Sequence, residues 1–230
     1  MQLPVLSAKK PDRKMTDDVS GLLIGKARSE VAEYARRMVR DGLAVGTSGN
    51  VSVRIGDLVA VTPSGVGYEQ VAAADVCVVD LEGFVVEGRF VPTSELPLHL
   101  ACYQRHGAGA VVHTHSPAAT ALSLLRDDVP FVHYQIAMFG GGISVAPYAP
   151  FGSLELVENV SAALTARTAA VMKHHGTVSL GSHLEKAYDG ARQLEWLCDV
   201  WLRASAVAPP ALLSADQIEE AVARMVGYGQ

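Results

Sequence analysis

The stretch AVVHTHSP, residues 110–117, ends an apolar run with two histidines and then stops at a proline. The apolar run is typical of a buried β-strand, and the pair Ser116-Pro117 is typical of the start of an α-helix. In a strand, residues two apart face the same side of the sheet, so His113 and His115 present both imidazoles to one side where the strand ends. This pair is a candidate metal site, and two hydrogen-bonded histidines that close a strand are the alternative.

The sequence around this stretch predicts strands that alternate with helices. Short turns containing Gly or Asp separate four upstream strands and suit antiparallel neighbours. The predicted strands cover residues 50–54, 57–63, 75–80, 83–88, 109–115, 130–134, 143–147, 169–174 and 177–180. The predicted helices cover residues 29–42, 94–105, 116–125, 153–167, 182–205 and 214–226. We therefore predict one α/β domain whose central, mainly antiparallel sheet is flanked by helices.

Two of the helix starts have the spacing of a capping box, in which a serine and a Glu or Gln three residues later satisfy each other's backbone amides. They are Ser182-x-x-Glu185 and Ser214-x-x-Gln217. We therefore predict that the last two helices begin at Ser182 and Ser214.

Length and composition predict an ordinary globular protein of 230 residues, 49% hydrophobic and 19% charged. Residues 1–20 are expected to be a flexible N-terminal tail and residues 21–230 the folded domain. No apolar stretch approaches the roughly 20 residues that cross a bilayer, and the first 20 residues lack the apolar segment of a secretory signal. A membrane partner is therefore not expected.

Charge and cysteine content limit the kinds of partner and the cell compartment that we expect for this protein. The formal net charge of −5 is spread along the chain, with no basic patch for nucleic acid. An odd number of widely spaced cysteines, Cys77, Cys102 and Cys198, fits buried free thiols in a reducing cytoplasm. The expected partner is a small molecule or another copy of the chain.

The motif KHHG, residues 173–176, closes a second apolar run. Adjacent strand residues face opposite sides, so at most one of His174 and His175 is expected to join a metal site. A third imidazole would complete a set that leaves one position open for substrate, as in catalytic zinc sites. The remaining histidines of predicted helices, His99 and His106 among them, are expected to be solvated or packing residues.

Three further motifs could hold an acid/base group or an anion. Glu95 lies in PTSELP, in the first turn of a predicted helix, where free amides favour a carboxylate. An ordinary first-turn glutamate is the alternative. The glycine turns GTSGN, residues 46–50, and TPSG, residues 62–65, offer free amides for an anion, and neither matches a nucleotide-binding fingerprint.

The chain resembles the class II aldolase and adducin-head family, and within it the L-fuculose-1-phosphate aldolase type. The resemblance runs from about Arg28 to the C-terminus and keeps the order and approximate spacing of the family's motifs. These motifs are GTSGNVSVR, TPSG, PTSE, AVVHTHSP, FVHY, APYAPFG and KHHG. The resemblance implies the family's fold, which is a central and mainly antiparallel sheet flanked by helices. It also implies that residues 21–230 are the catalytic domain.

The resemblance also implies roles for individual residues. The zinc ligands fall on His113, His115 and His175, and the acid/base carboxylate falls on Glu95, which also ligates zinc when substrate is absent. The phosphate pocket falls on Asn50, Ser64, Gly65, Thr93 and Ser94, with Thr93 in place of the more usual serine. Two tyrosines complete the set: Tyr134, which reaches a neighbouring subunit's site and acts in catalysis, and Tyr228, which helps to close the pocket over the aldehyde portion.

The activity implied is zinc-dependent, reversible cleavage of a ketose 1-phosphate such as L-fuculose 1-phosphate into dihydroxyacetone phosphate and an aldehyde such as lactaldehyde. A cytoplasmic homotetramer with active sites between subunits is implied with it. The enzymatic alternatives are an aldolase for another deoxy- or methylthio-pentulose 1-phosphate, and an epimerase, decarboxylase or dehydratase. The sequence Thr93-Ser94-Glu95 favours an aldolase, because the decarboxylase branch usually has a lysine before the glutamate. A non-catalytic interaction module like the adducin head is the alternative outside enzymes.

Overall fold

The computed structural model describes residues 13–225, and the side chains from residue 21 onward. The strands are β1 (Asn50–Ile55), β2 (Leu58–Val61), β3 (Cys77–Asp80), β4 (Val85–Glu87), β5 (Ala110–Thr114), β6 (Val145–Ala146), β7 (Ala169–Met172) and β8 (Gly176–Gly181). The α-helices are α1 (Arg13–Arg40), α2 (Leu96–His106), α3 (Pro117–Leu125), α4 (Leu154–Ala163), α5 (Leu184–Ser205) and α6 (Ala215–Met225). Two 3-10 helices cover Ala73–Asp75 and Tyr134–Phe139.

All eight of these strands form one sheet in the order β4-β3-β2-β1-β5-β8-β7-β6. Neighbouring strands are antiparallel except β6 and β7, which are parallel. The histidine-bearing strand β5 therefore lies inside the sheet, between β1 and β8. The predicted α/β fold with a mainly antiparallel sheet is confirmed.

Helices cover both faces of the sheet, and β5 divides its side chains between them. Val111 packs in a core with residues of α2 and α4, including Leu98 and Leu156. Val112 packs on the opposite face in a core with residues of α1 and α5. Because side chains alternate along a strand, His113 faces the same side as Val111, which is the side of α2.

Several local predictions need correction. Helix α1 begins at Arg13, so residues 13–20 of the predicted tail are helical, whereas residues 1–12 lie outside the described part of the chain. Helix α5 begins one residue later than the predicted capping box requires, because His183 rather than Ser182 is its N-cap. The capping box of α6 is confirmed: the amide of Gln217 donates to Ser214 Oγ at 3.2 Å, and the amide of Ser214 donates to Gln217 Oε1 at 2.9 Å.

The predicted strand at residues 130–134 is wrong. The chain there is irregular, and a 3-10 helix begins at Tyr134. His133 caps this helix, because its Nδ1 accepts a hydrogen bond from the amide of Gln135 at 3.2 Å. A side-chain cap of this kind offers the backbone an alternative to a strand ladder.

Two predictions from composition can be compared with the structure. Cys77, Cys102 and Cys198 are buried free thiols, as predicted. None of the helices described between residues 13 and 225 has both the length and the apolar character needed to cross a membrane.

Candidate active site

Three imidazoles converge at the end of β5. His113 is the fourth residue of that strand, and His115 follows the strand's last residue. His175 lies in the tight turn that joins β7 to β8. The Nε2 atom of His115 lies 3.0 Å from Nε2 of His113 and 3.1 Å from Nε2 of His175. The three histidines that the sequence singled out are therefore brought together.

A backbone hydrogen bond on the side of the ring away from the other histidines fixes the orientation of His113. Its Nδ1 lies 2.8 Å from the backbone oxygen of Thr177 on β8, an oxygen that can only accept. The Nδ1–H of His113 therefore donates to Thr177, and its Nε2 faces His115 and Glu95; in the neutral form of the ring this nitrogen carries a lone pair that can bind a metal. Metal-binding histidines commonly have such a backbone carbonyl behind the ring, because it sets the tautomer.

Glu95 completes the cluster from helix α2. It is buried, and it is the N-cap residue of α2, one position before the first turn in which it was predicted to lie. Its Oε2 lies 2.9 Å from His113 Nε2, and its Oε1 lies 3.4 Å from His175 Nε2. Among the described residues, buried Oε1 has no hydrogen-bond partner. A buried carboxylate oxygen without a partner, aimed at three imidazoles, is a place for a cation.

The four side chains fit a divalent metal. One ligand atom from each of Glu95, His113, His115 and His175 lies within 4.8 Å of the others. Tetrahedral zinc with bonds of 2.0–2.1 Å places imidazole nitrogens about 3.4 Å apart, a few tenths of an ångström more than the separations to His115 Nε2. These residues could hold one ion without any movement of the strands.

Burial and mutual contact set the charges of the cluster. Burial opposes the charge of Glu95, but His113, His175 and the amide of Asn50 hold the pKa of its carboxyl well below the usual range. Burial, together with His113 and His175, lowers the pKa of His115 to about 3. Burial and His113 lower the pKa of His175 to about 4. At neutral pH the cluster therefore offers an anionic carboxylate and at least two neutral imidazoles, the states that bind metal.

Two glycines let the backbone close around the histidines. A Cβ on Gly176, at the start of β8, would lie 1.8 Å from the backbone oxygen of Thr114. Gly49 has a φ of +73°, and a Cβ there would lie 2.8 Å from the backbone oxygen of His113. The glycine of KHHG and the second glycine of GTSGN are therefore needed because the chain passes too close to β5 for any side chain.

Three members of the cluster, Glu95, His115 and His175, line a cleft of about 660 Å³. The cleft is also lined by all five residues predicted for the phosphate pocket, which are Asn50, Ser64, Gly65, Thr93 and Ser94. The backbone amides of Ser64 and Thr93 donate to Val91 and Thr62, so these two residues can offer an anion only their hydroxyl groups. Of the residues described as lining the cleft, none is a lysine or an arginine.

Of the two predicted tyrosines, only Tyr134 lies in the described part of the chain, and it does not line this cleft. Tyr134 is exposed and lines a different cavity, of about 570 Å³, together with residues of α6 such as Gln217 and Arg224. Within one chain it does not contact the cluster. Tyr228 lies outside the described residues.

The sequence did not single out His99 as a site residue, and it named His174 only as the alternative to His175. His99, expected to be solvated or packing, is fully buried on α2 and hydrogen-bonds to Asn50. His174 lines the cleft in the left-handed conformation, with a φ of +58°, and its ring meets the edge of Tyr148 at 6.0 Å. The spacing of Glu95 and His99, four residues apart on one helix, placed both on the same face and could have identified His99.

Comparison with known proteins agrees with this geometry. Residues 29–202 match the family model of the class II aldolase and adducin N-terminal domain. The chain belongs to this family. It is 39% identical over 207 residues to an L-fuculose phosphate aldolase of Escherichia coli strain K12, with 89% of this chain and 96% of the relative covered.

Two further relatives support the same assignment. A 5-deoxy-D-ribulose 1-phosphate aldolase of Bacillus thuringiensis serovar kurstaki is 34% identical over 212 residues, with 91% of this chain and 100% of the relative covered. A solved structure of an L-fuculose 1-phosphate aldolase has a TM-score of 0.84 and 32% identity, with 87% of this chain and 96% of that chain covered. The protein is therefore a class II aldolase of the fuculose-phosphate and deoxyribulose-phosphate type, a lyase.

Proposed function

We propose that this aldolase uses zinc to cleave a ketose 1-phosphate, such as L-fuculose 1-phosphate, into dihydroxyacetone phosphate and an aldehyde such as lactaldehyde. The observation that carries the proposal is one cleft that is lined both by members of the His/Glu cluster and by residues of the TPSG and PTSE turns. A substrate with a phosphate at one end and a carbonyl next to it needs both features a few ångströms apart.

His113, His115 and His175 would hold the metal, with Glu95 as a fourth ligand before substrate arrives. When bound, a divalent cation supplies a positive charge that stabilises the enediolate left by carbon–carbon cleavage. Three imidazoles, each neutral when it binds a cation, suit zinc, which prefers nitrogen and sulfur ligands. Zinc is therefore the metal that we assign to this site.

Glu95 is the group that moves the proton. Its Oε2 accepts a hydrogen bond from Asn50 Nδ2 at 3.0 Å, and its Oε1 is the oxygen without a partner. Oε1 is therefore free to take a proton from the reacting carbon of dihydroxyacetone phosphate in synthesis, and the carboxyl protonated in this way gives the same proton back to the enediolate carbon in cleavage. A positioned carboxylate in this role accelerates proton transfer by about 10²- to 10⁴-fold.

The phosphate would be bound by neutral groups. The residues of the pocket offer hydroxyl groups at Ser64, Thr93 and Ser94 and an amide at Gly65, whose φ of +71° turns the chain tightly. Successive amides and hydroxyls of this kind form a concavity that suits an anion. Such a pocket holds dihydroxyacetone phosphate without a permanent cation from the same chain.

Tyr134 would act across a subunit boundary. Since it is exposed and lines a different cavity from Glu95 in its own chain, it can assist deprotonation of the C4 hydroxyl only in the cleft of a neighbouring subunit. A homotetramer with active sites between subunits meets this requirement. Tyr228, near the C-terminus, is proposed to close the same composite site over the aldehyde.

The main alternative substrate is a 5-deoxypentulose 1-phosphate, which is favoured by the 5-deoxy-D-ribulose 1-phosphate aldolase relative. A methylthio-pentulose 1-phosphate differs only in the group carried by the aldehyde. All three substrates share the phosphate, the carbonyl and the bond that is broken. They are therefore distinguished by the groups that surround the aldehyde portion, among which we place the exposed lining residues Tyr148 and Phe151 beside Tyr134 and Tyr228.

A screen of ketose 1-phosphates with purified, zinc-loaded protein tests the proposal, with dihydroxyacetone phosphate measured by an NADH-coupled dehydrogenase and the aldehyde identified by mass spectrometry. We expect the highest kcat/KM for a 6-deoxyhexulose or 5-deoxypentulose 1-phosphate. If none of these compounds releases dihydroxyacetone phosphate, the proposed function is wrong. Loss of carbon dioxide or epimerisation without cleavage would instead assign the protein to another reaction.

A further inference from the structure

A chain of buried hydrogen bonds runs from Glu95 away from the cleft into the protein interior. Asn50 Nδ2 lies 3.0 Å from Glu95 Oε2, and Asn50 Oδ1 contacts Nε2 of His99. The Nδ1 of His99 lies 2.6 Å from Ser52 Oγ, which lies 2.5 Å from the hydroxyl of Tyr103. All five residues are at most 5% exposed. None of the steps of the proposed reaction uses His99, Ser52 or Tyr103.

This chain of hydrogen bonds forms because the polar residues of α2 and those of β1 are separated by nearly the same rise along their elements. Glu95, His99 and Tyr103 are four residues apart along α2, a rise of about 6 Å per step. Asn50 and Ser52 are two residues apart on β1, a rise of about 6.7 Å. Asn50 pairs with His113, and Ser52 pairs with Val111, so both face α2. The polar groups of the strand therefore alternate with those of the helix.

The donor and acceptor groups of these residues allow the hydrogen bonds to run in only one direction, from Tyr103 toward Glu95. An ionised carboxylate only accepts hydrogen bonds, so Asn50 must turn its NH₂ group toward Glu95 and its oxygen toward His99. His99 Nε2 must then carry a hydrogen to donate to that oxygen. The other nitrogen of a neutral imidazole is an acceptor, which takes the hydroxyl hydrogen of Ser52. Ser52 Oγ in turn accepts from Tyr103.

We propose that His99 is a positioning residue, which fixes the amide of Asn50 so that its NH₂ group, rather than its oxygen, faces the acid/base carboxylate of Glu95. The proposal rests on the proposed function, because it concerns the residue assigned to proton transfer. An amide turned the other way would place Asn50 Oδ1 against a carboxylate oxygen about 3 Å away, and the repulsion would move the carboxylate from its place beside His113. His99 itself does not contact substrate.

The fold alone does not explain a histidine at this position. His99 is fully buried next to apolar residues of α2, including Leu98 and Leu100. A buried polar side chain stabilises a protein less than an apolar one of similar volume unless its bonds are needed. Leucine would fill the same space but would leave the buried Asn50 Oδ1 and Ser52 Oγ without this partner, so the histidine is present for the hydrogen bonds that lead to Glu95.

The test compares two substitutions at the same site in zinc-loaded protein. Glutamine in His99→Gln places an amide NH₂ near the position of Nε2 and can still donate to Asn50, whereas leucine in His99→Leu cannot. We expect kcat to fall at least about tenfold in His99→Leu and less than about threefold in His99→Gln, with KM and zinc content unchanged in both. Tyr188→Phe is the matched control, because it removes a hydrogen bond that a buried tyrosine donates to Asp41, and Tyr188 packs in the core on the face of the sheet opposite α2. It should leave kcat unchanged.

Equal losses of kcat in the glutamine and leucine variants, or none in the leucine variant, would overturn the proposal. If His99→Leu does not fold, Ser52→Ala gives the same test, because it removes the donor that fixes the tautomer of His99, and it should lower kcat about threefold or more. Nitrogen-15 NMR of histidine-labelled wild type is independent of activity and should show hydrogen on Nε2 of His99 but not on Nδ1. The reverse tautomer would overturn the proposal, whereas a wild type without activity on any ketose 1-phosphate would refute only the proposed function.

Discussion

Replacing Glu95 with glutamine should nearly abolish turnover and leave the fold and the metal in place. The substitution changes one atom in a buried side chain, so it fits sterically. The amide oxygen can keep the hydrogen bond from Asn50, 3.0 Å away, and the amide nitrogen then occupies the position of Oε1, 3.4 Å from His175 Nε2. Three imidazoles remain to hold zinc.

The magnitude follows from what the variant loses. A hydrogen bond to a charged group contributes about 1.5–3 kcal/mol and a neutral one about 0.5–1.5 kcal/mol, so the free energy of unfolding should fall by only about 1 kcal/mol. Proton transfer by a positioned carboxylate is worth about 10²- to 10⁴-fold, and kcat should fall by that factor. This corresponds to about 3–5 kcal/mol in the activation free energy.

The assay measures release of dihydroxyacetone phosphate at saturating substrate, beside zinc content by mass spectrometry and thermal unfolding. Glu158→Gln is the matched control, because Glu158 makes an exposed ion pair with Arg105 and the chemical change is the same. It should leave kcat unchanged. A Glu95→Gln variant that keeps more than about a tenth of wild-type kcat would refute the acid/base role. Complete loss of zinc in the variant would mean that the carboxylate is needed as a ligand.

Further outcomes test the rest of the site. His175→Ala should lower zinc affinity by about a hundredfold or more by equilibrium dialysis, whereas His174→Ala, its immediate neighbour, should leave affinity within about threefold. Gly176→Ala should lower the free energy of unfolding by about 1–3 kcal/mol in urea titrations, because its Cβ would lie 1.8 Å from the backbone oxygen of Thr114. Burial lowers the pKa of His99 to about 3, against about 6.5 in unfolded chains. Between pH 6.5 and pH 3 the unfolded state therefore binds more protons than the folded state, and the free energy of unfolding falls as the pH decreases. Between pH 7.5 and 5, metal-free wild type should lose about 2 kcal/mol more than His99→Gln in chemical denaturation, and an equal loss would contradict this value.

The sequence predicted most of the sheet and singled out all four residues of the His/Glu cluster. The strands have clear period-two or continuous apolar patterns, and that period alone places His113 and His115 on the same side where β5 ends. The third imidazole needed the family resemblance, because His174 and His175 are equivalent by local pattern. The left-handed turn at His174, which separates them, depends on how β7 and β8 meet.

Two elements were predicted wrongly because the residue that caps a helix competes with the conformation that the apolar or capping pattern favours, and the pattern alone does not show which one wins. The apolar run before Tyr134 favours a strand, but His133 caps a 3-10 helix instead. The start of α5 differs by one residue because His183 takes the N-cap position next to Ser182.

The hydrogen-bond chain behind Glu95 could not be predicted from the strand and helix patterns separately. Its contacts join residues more than 40 positions apart in the sequence, such as Asn50 and His99, and depend on the register between β1 and α2. The four-residue spacing from Glu95 to Tyr103 indicates a polar face on α2. It does not indicate which strand that face contacts.

The most direct test of a zinc-dependent aldolase is a titration of zinc into protein stripped with a chelator, with release of dihydroxyacetone phosphate from L-fuculose 1-phosphate and 5-deoxyribulose 1-phosphate followed at each addition. We predict no activity in the stripped protein, and activity that rises in proportion to zinc and saturates at one ion per chain. Activity that is the same with and without the metal, or no release of dihydroxyacetone phosphate at full zinc occupancy, would contradict the account.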